Sequence, residues 1–199
     1  MTLPGILVGH RVIARGDEFA LLPEEHAAFA NSVTKVQRAS GAARIVAREL
    51  LRKMGWPPCA IPRSASGVPV WPEGIAGSLA HDAEIAIAAI ALRRDVLSVG
   101  VDVEPAVPLD PDLIALVATA KERSAAHGVP CWGRLLFAIK EAVYKAVYPL
   151  DGVFLDHHDV EVDFASATAS VRGQRVVPFR FCAASHLITL AFLTAPSAG

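Results

Sequence analysis

A helix followed by a run of short strands occurs twice along this chain, and that order restricts the fold more than any other feature of the sequence. The first helix is predicted from about Lys35 to Met54, with Gly55 as its end, and the second from Trp132 to Tyr148, stopped by Pro149. In the second, Leu136, Ile139, Val143 and Ala146 or Val147 recur at three and four and supply a buried stripe. Ile75–Ala80, Glu84–Leu92 and Leu97–Glu104 are separated by the polar turns His81–Ala83 and Arg93–Asp95, so they read as an antiparallel meander. A second run of strands follows at 160–164, 168–171, 175–181 and 187–194. An opening strand within Gly5–Ala14, a short helix from Pro23 to about Ala30, a turn-rich stretch from Trp56 to Gly74 and one helix from about Pro111 to Ala126 complete the reading.

Two segments carry chemistry. Glu141 and Lys145 stand four residues apart, which makes them neighbours on one helix ridge, away from the buried stripe. Such a pair serves equally as a surface ion pair, as a holder of a divalent cation, or as a base beside a phosphate. Upstream, Val99, Val101 and Val103 alternate with Gly100, Asp102 and Glu104, so a strand here buries three valines and projects both carboxylates from its other, solvent-facing side. Residues two apart on a strand are about 6.5 Å apart, close enough for their side chains to converge on one hard cation such as Mg²⁺. Gly100 leaves space between them, and Pro105 ends the strand.

Composition narrows the function classes. A formal net charge of −1 argues against sequence-independent nucleic-acid binding, which needs a strongly basic surface. Positive charge is local: Arg44, Arg48 and Arg52 recur every four residues on the first helix, a mildly repulsive stripe unless an anion visits it. The three cysteines are odd in number and lack Cys-x-x-Cys spacing, which suggests neither a disulfide framework nor a structural zinc site. The longest apolar run, Ile85–Leu92, is too short to span a bilayer, and no apolar leader opens the chain. A cytoplasmic protein is expected.

Taken together and in order, Gly77-Ser78-Leu79-Ala80-His81, Gly100-Val101-Asp102-Val103-Glu104 and Phe137 through Lys145 resemble the three signature blocks of the 4′-phosphopantetheinyl transferases. The resemblance is to the long, pseudodimeric type that serves nonribosomal peptide, siderophore and polyketide synthases, and it runs from about residue 35 to about residue 165. It implies an α+β fold of two similar halves, each a helix packed on a small antiparallel sheet, with the active site between the halves. The halves are expected at 1–104 and 105–199. It also implies a monomer that moves the phosphopantetheine arm of coenzyme A onto a serine of an apo acyl or peptidyl carrier protein, with Mg²⁺, releasing adenosine 3′,5′-bisphosphate.

The resemblance assigns roles residue by residue. Asp102, Glu104 and Glu141 are the expected Mg²⁺ ligands, with Glu141 also the candidate base. Lys145 is expected on a phosphate oxygen, and Lys140 is a further catalytic candidate. Arg44, Arg63, Ser78 and His81 are the expected coenzyme contacts, and Lys121, Arg123 and Arg134 the candidate carrier contacts. Asp82 directly follows His81 where a neutral residue is commoner, so its charge stands to oppose a coenzyme phosphate. Asp156, His157, His158 and Asp159 read as a loop rather than a metal cluster, and Trp71 as a packed loop anchor. A coenzyme-binding protein without turnover and a metal-dependent phosphohydrolase are the competing readings.

Overall fold

A computed structural model describes residues 3–125 and 131–195. It contains strand β1 (Ile6–Val12), helices α1 (Pro23–His26) and α2 (Thr34–Lys53), strands β2 (Ile75–His81), β3 (Ile85–Leu92) and β4 (Val96–Pro105), and helices α3 (Pro111–Val117), α4 (Ala120–Ala125) and α5 (Trp132–Asp151). Strands β5 (Val160–Asp163), β6 (Thr168–Val171), β7 (Arg175–Ala183) and β8 (His186–Thr194) complete it. The strands form two antiparallel sheets, β1-β3-β2 and β4-β8-β7-β6-β5. The fold is thus α+β, with one long helix on each sheet.

Strand β3 carries only Ile, Ala and Leu because both of its faces are covered. Ala88 and Ile90 meet Val46, Ala47, Leu50 and Leu51 of α2. Ile87, Ala89 and Ala91 share a second cluster with Val99, Val101 and Val103 of β4. The predicted stripe of α5 is buried as expected: Leu136, Ile139, Val143, Ala146 and Val147 pack against Val160, Ala169, Val177 and Phe179 of the second sheet.

Four expectations are corrected. The meander breaks at β4, which leaves β3 and pairs with β8 in register Gly100↔Ala191 and Asp102↔Thr189. Turn spacing placed β4 next in sequence, but its hydrogen-bond partner lies 80 and more residues downstream, where no local pattern points. A boundary at residue 104 would therefore cut the second sheet from its first strand. Secondly, the helix expected over 111–126 is two helices, because Ala118 is extended and Thr119 and Glu122 exchange amide bonds as a capping box that starts α4. The expected end at Ala126 lies outside the described residues. Thirdly, α5 runs through Pro149 and ends at Gly152, whose left-handed φ of 65° suits glycine. Proline removes one amide but does not forbid a last turn.

The fourth correction concerns Gly100. The space beside it is not empty: a Cβ there would lie 1.9 Å from the carbonyl oxygen of Ala142 and 2.6 Å from the amide nitrogen of Ala146. The backbone of α5 lies directly on β4 at this point. Gly100→Ala is therefore expected to force helix and strand apart and to destabilise the fold by about 3 kcal/mol or more, read as a lower denaturant midpoint at unchanged slope.

Candidate active site

The close contact at Gly100 decides what the adjoining residues can touch. Asp102 lies two residues further along the same face of β4, and Lys145 projects from the turn of α5 that covers it. Lys145 Nζ donates to Asp102 Oδ1 at 2.6 Å and to the carbonyl of Val101 at 3.3 Å. Val101 sits on the edge strand of its sheet, and its amide donates to Ser78 Oγ of β2 at 3.0 Å. Ser78, expected at the coenzyme, thus closes the seam between the two sheets with its hydroxyl.

Asp102 is not solvent-facing as expected but only 7% exposed, and its Oδ2 is buried without a hydrogen-bond partner. Burial raises its pKa above the ordinary carboxylate value, against the pull of Lys145. Glu141, half-buried one turn before Lys145, is raised chiefly by burial and further by the charge of Asp102. Glu104 is raised by burial and by Asp102, while Arg134 Nη1 donates to its Oε2 at 3.0 Å. Three carboxylates thus oppose their own ionisation, a strain that a cation relieves.

Basic groups stand in the cleft that Glu141 borders. A chamber of about 280 Å³ is bounded by Ser78, Glu141, Tyr144, Lys145 and Arg63. A second of about 430 Å³ is bounded by Arg44, Arg63, His81, Lys145 and Phe29. Lys145 and Arg63 belong to both, so the chambers form one groove with cations at its centre. His81 lies at its rim, held below the ordinary imidazole value by the packing around it and by Lys145. Arg63 is exposed, with Nε donating to the carbonyl of Gly67 at 2.8 Å.

Arg44 is present at the groove but is far from free. It is 3% exposed, donates to the carbonyls of Ile61 and Ser40, and its guanidinium carbon lies 4.9 Å from the ring centroid of Phe29. The arginine stripe of α2 has an internal anion that sequence reasoning missed, Glu25 of α1. Glu25 is fully buried, accepts from Arg48 at 2.9 Å and from the amide of Ile61 at 2.7 Å, and lies 3.6 Å from Arg44.

Lys140 does not border the groove. Its Nζ is buried on the other side of α5 and donates to the carbonyls of Val117 and His157 and to Glu122 Oε2, each at 2.8 Å. A step of about 100° round a helix separates it from Glu141, enough to keep it out of the groove, although both border a separate cleft with Tyr144 and His157. Glu122 also accepts from the amide of Val162 at 2.8 Å, so the pair joins α4, α5 and β5. The expected carrier contacts are committed as well: Lys121 pairs with Glu161, Arg123 donates to Ala118 and Arg134 to Glu104. Asp156–Asp159 form a capped turn around a short 3-10 helix, and Asp159 pairs with Arg172. Trp71 packs over Gly77, where a Cβ would lie 2.4 Å from its ring.

Among the described residues no three carboxylate, imidazole or thiolate groups are close enough together to hold a metal ion. The expected three-acid shell is therefore not assembled, because Lys145 and Arg134 each occupy a carboxylate. The donor chemistry nonetheless fits a hard divalent cation: three oxygen acids with raised pKa values, one of them with an unpartnered buried oxygen.

Perturbed acids beside a cleft that holds Lys145, Arg63 and Arg44 are the marks of a functional site that suits an anionic ligand. Comparison with known proteins gives the class its name. Residues 24–91 match the 4′-phosphopantetheinyl transferase N-terminal domain and residues 98–191 the 4′-phosphopantetheinyl transferase superfamily. The chain is 35% identical over 198 residues to 4′-phosphopantetheinyl transferase Svp of Streptomyces mobaraensis, covering 90% of this chain and 80% of that protein. It is 35% identical to 4′-phosphopantetheinyl transferase PptT of Mycobacterium tuberculosis over 78% of this chain and 70% of that one. Against 4′-phosphopantetheinyl transferase Npt of Nocardia iowensis it is 34% identical, over 81% and 74%. The chain belongs to the 4′-phosphopantetheinyl transferase superfamily, in its long two-unit form.

Two outcomes follow from the buried charges. Lys140→Ala leaves Glu122 buried without its cation and is expected to lower stability by about 3–5 kcal/mol, seen in urea unfolding. Glu141 has its pKa raised in the folded state, so the stability it lends is present below the unfolded carboxylate pKa, about 4.3, and is lost as pH rises through the folded value. Without divalent cations, Glu141→Gln should therefore melt higher than the parent at neutral pH, with the difference shrinking as pH falls toward 4.

Proposed function

We propose that this protein transfers the 4′-phosphopantetheine arm of coenzyme A to a serine hydroxyl of an apo carrier protein, with Mg²⁺, and releases adenosine 3′,5′-bisphosphate. The observation that carries the reading is the meeting of Lys145 with Asp102 beside Glu141, at a groove that Lys145 and Glu141 line together with Arg44, Arg63 and His81. The names of the relatives supply the group transferred; the residues supply the means.

In this reading the basic chamber of Arg44, Arg63 and His81 takes the 3′-phosphate end of the coenzyme. Arg44 spends its Nε and one Nη1 donor on the carbonyls of Ile61 and Ser40, which fix the guanidinium at the chamber wall and leave Nη2 to donate to a phosphate. Lys145, shared by both chambers, leaves Asp102 for a pyrophosphate oxygen, as a compact ammonium on a flexible stem can. Asp102 and Glu141, with Glu104 if Arg134 turned aside, would hold Mg²⁺, which would supply charge neutralisation at the pyrophosphate. Glu141 has a second part. It lines the groove and also a separate cleft of about 400 Å³ formed with Tyr144, Phe154 and His157, so an acceptor serine entering there meets a carboxylate whose raised pKa suits it to take a proton. The units are read as 1–92 and 96–195 joined at this groove, acting as a monomer in the cytoplasm.

Asp82 gives the reading without turnover less support than its charge suggested. Asp82 is engaged by the turn amides of Glu84 and Ile85 and by His186, which spends its charge away from a coenzyme phosphate.

The direct experiment incubates the protein with coenzyme A, Mg²⁺ and a panel of apo carrier proteins and looks by mass spectrometry for a phosphopantetheinyl adduct. Transfer to at least one carrier is expected; none over a broad panel would sink the proposal. Asp102→Ala and Glu141→Ala are each expected to reduce transfer by at least about 10²-fold, whereas Arg63→Ala raises KM for the coenzyme with little change in kcat. Mg²⁺ should raise the melting temperature of the parent and not that of Glu141→Gln, a readout independent of turnover.

A further inference from the structure

His81 is the last residue of β2, and Asp82 opens the turn into β3. The two oxygens of Asp82 do different work. Oδ1 accepts from the amides of Glu84 and Ile85, both at 2.7 Å, and so shapes the turn. Oδ2 lies 3.0 Å from Nε2 of His186, the first residue of β8 in the other sheet. His186 is 9% exposed, and its Nδ1 lies 3.1 Å from Ser185 Oγ. A neutral imidazole with its proton on Nε2 satisfies both contacts: the hydroxyl of Ser185 donates to Nδ1, and Nε2–H donates to Asp82.

The tip that carries His186 is itself fastened to the end of β4. The amide of Ala106 donates to the carbonyl of Ser185 at 3.1 Å, and His186 is the register partner of Pro105. One carboxylate therefore both forms the turn that ends in His81 and anchors it to the unit that carries Glu104, Glu141 and Lys145. His186 itself borders neither chamber of the groove, so any influence it has on a bound ligand must run through the turn.

We propose that Asp82 and His186 are positioning residues, a clamp between the tips of the two sheets that fixes His81 against Lys145 at the rim of the coenzyme groove. The proposal rests on the coenzyme reading given above. A hydrogen bond to a charged group, largely withdrawn from water, is strong enough to hold two hairpin tips in one arrangement. Without it the turn keeps its own amide bonds but is released from the second unit, and His81 has no fixed distance to Lys145. The unusual acid after His81 is in this account a structural anchor.

The test is steady-state kinetics on the full chain with coenzyme A and a competent apo carrier. His186→Ala and Asp82→Asn are each expected to raise KM for coenzyme A about tenfold, with kcat and KM for the carrier within about twofold of the parent. His186→Gln, whose amide nitrogen can still donate to Asp82, should recover most of the loss. His186→Ala should add nothing further in a His81→Ala background, because the clamp acts through that imidazole. Circular dichroism checks that each variant is folded, and calorimetric titration with coenzyme A reads affinity without turnover. An unchanged KM in folded His186→Ala and Asp82→Asn, or an equal loss with and without His81, overturns the proposal while leaving the coenzyme reading intact. Failure of the parent protein to bind coenzyme A overturns both.

Discussion

The contact on which the site depends is the seating of the α5 backbone on β4 at Gly100. No side chain separates helix from strand there. That closeness brings the ammonium of Lys145 to the carboxylate of Asp102 and to the edge carbonyl of Val101. It also sets Glu141, one turn earlier on the same ridge, within the electrostatic reach of Asp102. A methyl group at residue 100 would widen the layer and separate groups that must act together.

Around that contact the charges divide into three kinds. Glu25 with Arg44 and Arg48, and Glu122 with Lys140, are buried and held by several partners each, so they fix α2 and α5 to the loops and strands beside them. Asp102, Glu104 and Glu141 are instead held above their ordinary pKa values, and one oxygen of Asp102 has no partner. Stability alone would favour neutral groups at those three positions. On the reading proposed above, a bound cation would offset that cost. The clamp of Asp82 and His186 belongs to a third kind, a polar link whose use is to align two parts that each fold by their own core.

Several features were legible because they are local. The apolar stripe of α5, the alternation of β4 and the turns at His81–Ala83 and Arg93–Asp95 all follow from periodicity within a few residues. The start of α4 has a local signal that the single-helix expectation passed over: Thr119 and Glu122 carry the capping-box spacing. Other features had no local signal. Nothing near Lys140 says that it turns away from Glu141 toward Glu122, and nothing in the arginine stripe of α2 says that Glu25, some twenty residues earlier, neutralises it.

The sequence by itself determined the two long helices, the strands, the candidate acids and cations, and the family, since these depend on residue type and on spacing along the chain. Only the tertiary structure decided which strand β4 joins, which of Lys140 and Lys145 reaches the groove, and that Asp82 is tied to His186. Those outcomes depend on pairs of groups 18 to more than 100 residues apart, selected by which faces can be buried together, and contact between distant residues leaves no period in the chain for a reader to find.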